Sequence, residues 1–256
     1  MAELYDRTEI YDLFDDENKY QAVKKHWETI LDGKPIRSLL DVSIGTGSLT
    51  LPLAELGISL SGSDLNENML KKCGEKAEKR GLSVHLRTSD FRCLKDNFTE
   101  QFDCVGSTGN SLPYVNNSEI LCVLEQMDSL IKEGGYLYFD MRNWDKILKE
   151  KNRFYLYNPV FDGDKRINLT QVWDYNPDGS MTFNLLYTFE KENALFQKEI
   201  FQEHYYPVPR RLLLEKLQSL GYKNIQLLCH PAYWTGAAPE DVDWYCVTAQ
   251  KGTAVL

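Results

Sequence analysis

No run of about 18 apolar residues occurs in this 256-residue chain, so a membrane-spanning helix is not expected. The N-terminal MAELYDRTEIYDLFDDE is acidic and broken by charges, so a secretory leader is not expected either. None of the six cysteines (73, 93, 104, 122, 229, 246) forms a Cys-X-X-Cys pair, and the four histidines lack the spacing of a zinc helix. Those absences predict a reducing cytoplasm, no disulfides and no metal, with Cys104, Cys122 and Cys246 as small buried apolar residues. Positive charge is scarce: the net charge is −9, which argues against a nucleic-acid or anionic-membrane partner. The one basic stretch, KKCGEKAEKR (71–80), is interrupted by glutamates and reads as a solvated helix face. Internal repeats and low-complexity linkers are lacking. What is there, 43% hydrophobic and 26% charged residues, is ordinary globular composition.

Along the chain, apolar spacing predicts a helix over 18–32, then a short apolar run RSLLDVS (37–43), the turn IGTGS, and a helix over LTLPLAEL. Strand-like runs follow at 58–63, 82–89, 102–108 and 136–142. Helical patterns lie between them at 66–81, capped by Asn66 and stopped by Gly81, and at 118–135, stopped by glycine. Alternation of this kind predicts an α/β fold, a Rossmann-like doubly wound sheet. Residues 150–206 break the pattern with three β-rich runs and an NPDGS turn, which predicts an antiparallel β insertion between strands five and six, over the substrate pocket. A helix at 209–221 and strands at 224–230 and 243–250 complete seven strands. The whole chain, 1–256, reads as one domain with residues 1–32 as an N-terminal helical cover.

Ligands of such sheets bind beyond the carboxyl ends of the strands, where this chain places Asp41, Asp64, Asp90, Thr108 and Arg142. The turn Ser43-Ile-Gly45-Thr-Gly47 brings backbone close to a ligand, and the third glycine of a dinucleotide loop is missing, which weakens a pyrophosphate reading. Asp64 lies 23 positions after Asp41, at the end of the second strand, where a carboxylate can accept from ribose hydroxyls. Asp90-Phe91 pairs a carboxylate with a ring suited to a base. Together these features describe a nucleoside held without phosphates.

LLDVSIGTGSLTLPLAELG, SGSDLNENML and SDF resemble the cofactor motifs of S-adenosylmethionine-dependent methyltransferases with the seven-stranded fold. Many members carry glycine where Ser43 stands. The resemblance implies a methionine cradle at Ser43, Gly45 and Gly47, ribose contact by Asp64, and adenine contacts from Leu65, Asn66, Asp90 and Phe91. Thr108 and Gly109 join the cofactor set, and the N-terminal aromatics Tyr11 and Tyr20 are expected to pack over the cofactor as a lid. Within that class, TGNS (108–111), FDMRNWDKIL (139–148), LLYTFE and HYYP are similar to motifs of glycine N-methyltransferases, although Met141, Trp144 and Leu112 depart from them and the family's longer N-terminal arm is missing. That similarity implies Arg142 as the holder of an amino-acid carboxylate, with Asn110, Tyr187 and Tyr205 lining the same pocket and Tyr155 or Tyr157 as a further tyrosine. From the residues alone, Arg142 is equally an ion-pair partner of Asp140 or Asp145. The implied function is methyl transfer from S-adenosylmethionine to a small molecule, the amine of glycine or a similar amino acid. The alternatives are an amino sugar or other metabolite as acceptor, or a non-catalytic S-adenosylmethionine-binding protein. The partner is then the methyl acceptor, and the oligomeric state stays open, a homo-oligomer included.

Overall fold

The computed structural model describes residues 4–253. A turn at Leu4–Asp6, α1 (Thr8–Tyr11) and a turn at Asp12–Phe14 lead into α2 (Glu17–Leu31). Asp16 caps α2 by accepting from the Lys19 N–H at 2.7 Å, and the helix buries Tyr20, Val23, Trp27 and Ile30 at its helical repeat. Next come β1 (Ser38–Asp41), α3 (Pro52–Glu55), β2 (Ser59–Asp64), α4 (Glu67–Lys79), β3 (His85–Thr88), β4 (Phe102–Ser107), α5 (Asn117–Ser129) and β5 (Ile131–Arg142). The chain then forms α6 (Trp144–Glu150), β6 (Phe154–Leu156), β7 (Val160–Asp162), β8 (Lys165–Tyr175), β9 (Met181–Lys191), β10 (Ala194–Tyr205), α7 (Arg210–Ser219), β11 (Lys223–Cys229) and β12 (Trp244–Gln250).

One sheet has seven strands in the order β11-β12-β5-β4-β1-β2-β3. Its β1–β5 pairs are parallel, whereas β12 runs antiparallel to both β5 and β11. From β1 the chain builds outward through β2 and β3, then returns to place β4 on the other side of β1. The crevice of a doubly wound sheet opens at such a reversal. The second sheet, β10-β9-β8-β6 with β7 also paired to β8, is antiparallel and lies in sequence between β5 and β12. Alternation along β8 and β9 turns Ile167, Leu169, Trp173, Phe183 and Tyr187 inward, into the same apolar core as Val105, Leu124 and Phe139 of the first sheet. The other face of the first sheet packs Trp27, Leu51, Cys73 and Tyr138 in a separate core.

Three local expectations are corrected. The helix over LTLPLAEL shrinks to α3, because Pro52 suits only the first helical position and Gly57, at φ +82°, ends the run. The helix expected over 118–135 stops at Ser129. Gly134 and Gly135 instead serve an irregularity in β5, where the pairing slips between Phe102–Ile131 and Cys104–Tyr136. A Cβ at Gly135 would come within 2.8 Å of the Asp103 carbonyl. Cys122 is exposed on α5, while Cys104 and Cys246 are buried. No helix among the described residues is long and apolar enough to cross a membrane.

Candidate active site

At the carboxyl ends of β1, β2 and β4 the structure leaves a cavity of about 750 Å³. Its base is the turn after β1, and its far side is closed by β10 and the N-terminal turns. The turn is held from beneath. Thr108 Oγ1 donates to Asp41 at 2.7 Å, the Ser43 N–H donates to the same carboxylate at 3.1 Å, and the Thr108 N–H donates to Ser43 Oγ at 3.1 Å. Asp41 is 0% exposed, and burial pushes its carboxyl up to about 7. Asp41 is therefore a pillar under the turn and no part of the cavity wall, unlike the tip residue expected.

Asp64 does reach the cavity. One carboxylate oxygen accepts from the Gly45 N–H and the other from the Asn66 N–H, both at 2.9 Å, so the acid links the turn after β1 to the start of α4. Burial raises its pKa, and these backbone donors oppose the rise. Asn66 caps α4 through its carbonyl oxygen, which takes the Asn68 and Met69 N–H groups. Leu65 lines the cavity with 68% of its surface exposed, and Phe91 lies on the wall as well. Asp90 is gripped by Arg92 through Nη2 at 2.6 Å, Nε at 3.0 Å and the backbone N–H at 2.9 Å. That grip holds the Asp90 carboxyl below its ordinary range. Ser43, Gly45, Thr108, Gly109 and Tyr11 complete the expected residues on the wall.

Gly47 lies below the turn. Its φ is +79°, and a Cβ there would sit 2.7 Å from both Cys73 Sγ and Leu51 Cγ. The close approach of the turn to α4 thus requires glycine.

The N-terminal residues are tied across the turn. Thr46 Oγ1 donates to Asp12 at 2.6 Å, and the Lys76 ammonium donates to Asp15 at 2.9 Å and Ser48 at 2.7 Å. Tyr11 lines the cavity, but Tyr20 does not. Tyr20 shares the buried face of α2, donates to Glu55 at 2.8 Å and lies under the Arg80 guanidinium at 3.5 Å. Its helical spacing with Val23 and Trp27 made it a core residue, which corrects the expectation of a cofactor contact.

Asn110, Arg142, Tyr187 and Tyr205 come together one layer away, against the second sheet, and none of them lies on the wall of the cavity as it stands. Asn110 is 2% exposed with φ +63°. Its side-chain oxygen accepts from the Arg142 N–H at 3.1 Å, and its Nδ2 has no partner. Arg142 is 8% exposed and donates to Tyr157 Oη at 3.1 Å. Four rings surround its guanidinium: Trp244 at 5.1 Å, Trp173 at 5.3 Å, Phe183 at 5.5 Å and Tyr155 at 5.6 Å. Among the described residues no carboxylate forms an ion pair with it. The neighbour Asp140 instead accepts from the Gly109 N–H at 3.0 Å, Tyr138 Oη at 3.0 Å and Trp244 Nε1 at 3.1 Å. Asp145 accepts from the Arg210 N–H at 3.2 Å.

Between the two layers lies a cluster whose Tyr114 and Glu203 the sequence reading missed. Tyr114 donates to Glu203 at 2.8 Å, meets Tyr205 Oη at 2.7 Å and also bonds Tyr5. Tyr5, Tyr114, Glu203 and Tyr206 all line the cavity. Burial raises the phenol pKa of Tyr5, Tyr114 and Tyr205.

Comparison with known proteins bears on this geometry. Residues 39–135 match the family model described as a methyltransferase domain. A glycine/sarcosine N-methyltransferase of Aphanothece halophytica is 26% identical over 220 residues, covering 84% of this chain and 76% of that protein. The chain is a methyltransferase of the S-adenosylmethionine-dependent class. A glycine/sarcosine/dimethylglycine N-methyltransferase of Actinopolyspora halophila is 22% identical, and this methyltransferase spans 40% of its length. In fold, the methyltransferase is similar to an S-adenosylmethionine-dependent methyltransferase from Clostridium acetobutylicum, with a TM-score of 0.74 at 17% identity, covering 96% of this chain and 98% of that one. The amino pentose methyltransferase CalS10 from Micromonospora echinaspora gives 0.72 at 13% identity, covering 98% of each chain.

The residues present fit the cofactor of this class. The turn after β1 presents Ser43 and Gly45 on the cavity wall beside Gly109, Asp64 offers acceptors at the end of β2, and Leu65 and Phe91 give the cavity apolar flanks.

Proposed function

We propose that this methyltransferase transfers the methyl group to the amine nitrogen of a small amino acid, glycine or a close relative. The observation that carries the reading is Arg142. It is a buried cation walled by four aromatic rings, with no carboxylate paired to it among the described residues. Leaving such a charge unpaired is costly, and a planar guanidinium receives a carboxylate through two parallel bonds. The unpartnered Nδ2 of Asn110, on the residue that holds the Arg142 backbone, supplies one more donor beside it. The names of the relatives from Aphanothece and Actinopolyspora support the same acceptor class.

On this reading the backbone and side chains of Ser43, Gly45, Thr108 and Gly109 cradle the methionine portion of the cofactor, while Gly47, expected in the cradle, packs beneath the turn and only supports it. Asp64 takes the ribose hydroxyls, Leu65 and Phe91 flank the base, and Asn66 and Asp90 border it, Asp90 with its carboxylate shared with Arg92. Tyr11 closes the mouth. When bound, the cofactor supplies an electrophilic methyl on a sulfonium. The protein then holds acceptor and methyl as a near-attack pair, an effect that can supply roughly 7–11 kcal/mol. Tyr187 and Tyr205 shape the acceptor chamber from the second sheet.

The test is transfer of labelled methyl to a panel of glycine, sarcosine, dimethylglycine, larger amino acids and amino sugars. Turnover confined to amino acids, and strongly reduced by Arg142→Lys, is expected. Turnover of an amino sugar, with amino acids inert, would replace this reading with the sugar one.

A further inference from the structure

We propose that Glu203 is the group that receives the acceptor's ammonium and removes its proton before methyl transfer; the proposal rests on the amino-acid reading of the acceptor. A protonated amine has no lone pair, and it enters next to a cationic donor, so a carboxylate at the junction of the two chambers meets both needs.

The geometry places Glu203 there. It is 7% exposed yet lines the cofactor cavity. On β10 it alternates with Tyr205 on the inner face, opposite Phe183 of β9. The Phe183 ring lies 4.8 Å from the Tyr205 ring and 5.5 Å from the Arg142 guanidinium. Arg142 thus lies against the ring of Phe183 and Glu203 is that residue's cross-strand partner, a cation and an anion disposed for the two ends of a small zwitterion, with the anion on the cavity wall. Tyr114 is a positioning residue: its hydroxyl donates to Glu203 at 2.8 Å and meets Tyr205 at 2.7 Å.

Among the described residues, the groups facing Glu203 include the phenols of Tyr5 from the N-terminal turn, Tyr114 from the turn after β4, Tyr187 from β9 and Tyr205 on its own strand. Arg142 is the cation that Tyr205 senses. In the step, one N–H bond of the ammonium breaks and its proton bonds to a Glu203 oxygen. The electron pair left on nitrogen forms the new bond to the methyl carbon, and the pair of the broken carbon–sulfur bond stays on the departing neutral thioether. The product is a methylated ammonium. Glu203 returns its proton to solvent through the cavity, so each turnover releases one proton.

The experiment compares wild type, Glu203→Gln and Glu203→Asp in pH profiles of kcat/KM with glycine. It adds calorimetric titration of glycine into the complex with S-adenosylhomocysteine. General base catalysis is worth roughly 10²–10⁴-fold, so Glu203→Gln is expected to lose that much near neutral pH. The loss should shrink by about tenfold per pH unit toward the amine's own pKa, because solvent then supplies the free amine. Glycine should bind Glu203→Gln more weakly, with the affinity for S-adenosylhomocysteine unchanged. Glu203→Asp keeps a base and should retain the wild-type shape of the profile, which reads the proposal even if the glutamine variant does not fold. A loss equal at every pH, an aspartate variant as poor as the glutamine one, or weakened S-adenosylhomocysteine with unchanged glycine would overturn the proposal. Wild type active on glycine with an unaffected Glu203→Gln sinks this proposal alone. Wild type inactive on every amino acid sinks the acceptor reading and this proposal with it.

Discussion

Gly47→Ala tests how the cofactor turn is built. The residue sits at φ +79°, where an L side chain costs roughly 1–2 kcal/mol. The new methyl would also stand 2.7 Å from Cys73 Sγ, 2.7 Å from Leu51 Cγ and 2.9 Å from Leu51 Cδ1. Both neighbours are buried and neither can swing into solvent, so the overlap forces a backbone shift of the kind that costs about 1–3 kcal/mol. The total is roughly 2–5 kcal/mol, a large share of the about 5–15 kcal/mol that holds a typical domain folded. Gly57→Ala is the control. Its φ is +82°, with nothing within 4 Å of the added Cβ, so it bears the conformational cost alone. Urea unfolding of both variants should show Gly47→Ala less stable than Gly57→Ala by the packing share, about 1–3 kcal/mol. Calorimetry with S-adenosylhomocysteine should show lost affinity only for Gly47→Ala, since the shift displaces Ser43 and Gly45 with it. Equal destabilisation of the two variants, or an unimpaired affinity in Gly47→Ala, would refute the close-approach argument.

Two further outcomes are expected. The Asp41 carboxyl lies at about 7 against an ordinary 3.8, so its neutral form favours the folded state. That contribution is complete below pH 3.8 and is lost as pH rises through 7. At about 1.4 kcal/mol per unit, the three-unit shift amounts to about 4 kcal/mol. Asp41→Asn, with no proton to lose, should therefore gain stability relative to wild type between about pH 4 and 7, read by urea unfolding, and parallel profiles would exclude the linkage. The N-terminal strap, pinned by Asp12 and Asp15 to Thr46, Ser48 and Lys76, should exchange its amide hydrogens more slowly over residues 4–20 when S-adenosylhomocysteine is bound, and exchange that does not change would exclude a closing role.

Much of this was legible before the structure. Alternating strand and helix signals gave β1–β5, because each is a short strand-like run set between turns and helical patterns, with β1 and β2 ending in an acid. Asn66 as a cap is a purely local property, and it holds. The NPDGS turn marks the β8–β9 hairpin, where Gly179 takes φ +85°. The rest depends on contacts that local pattern does not carry. The end of α5 was misplaced because Gly134 and Gly135, five and six residues beyond it, serve strand pairing in β5. Tyr20 was misread because one aromatic spacing suits both a core face and a lid. Asp90 is bound to Arg92, two positions along, an ion pair that the strand-tip argument did not consider. Glu203 was overlooked although the signal was present: an acid two residues before Tyr205 falls on the inward face of an alternating strand.

The central claim is that Arg142 anchors an amino acid beside the methyl donor. Its most direct test is the mass of glycine after incubation with the enzyme and S-adenosylmethionine, in wild type and in Arg142→Lys. Glycine gaining methyl mass in wild type, with the gain falling at least tenfold in the variant while S-adenosylhomocysteine affinity holds, is the predicted result. Glycine unchanged in mass, or methylated equally by both proteins, would contradict it.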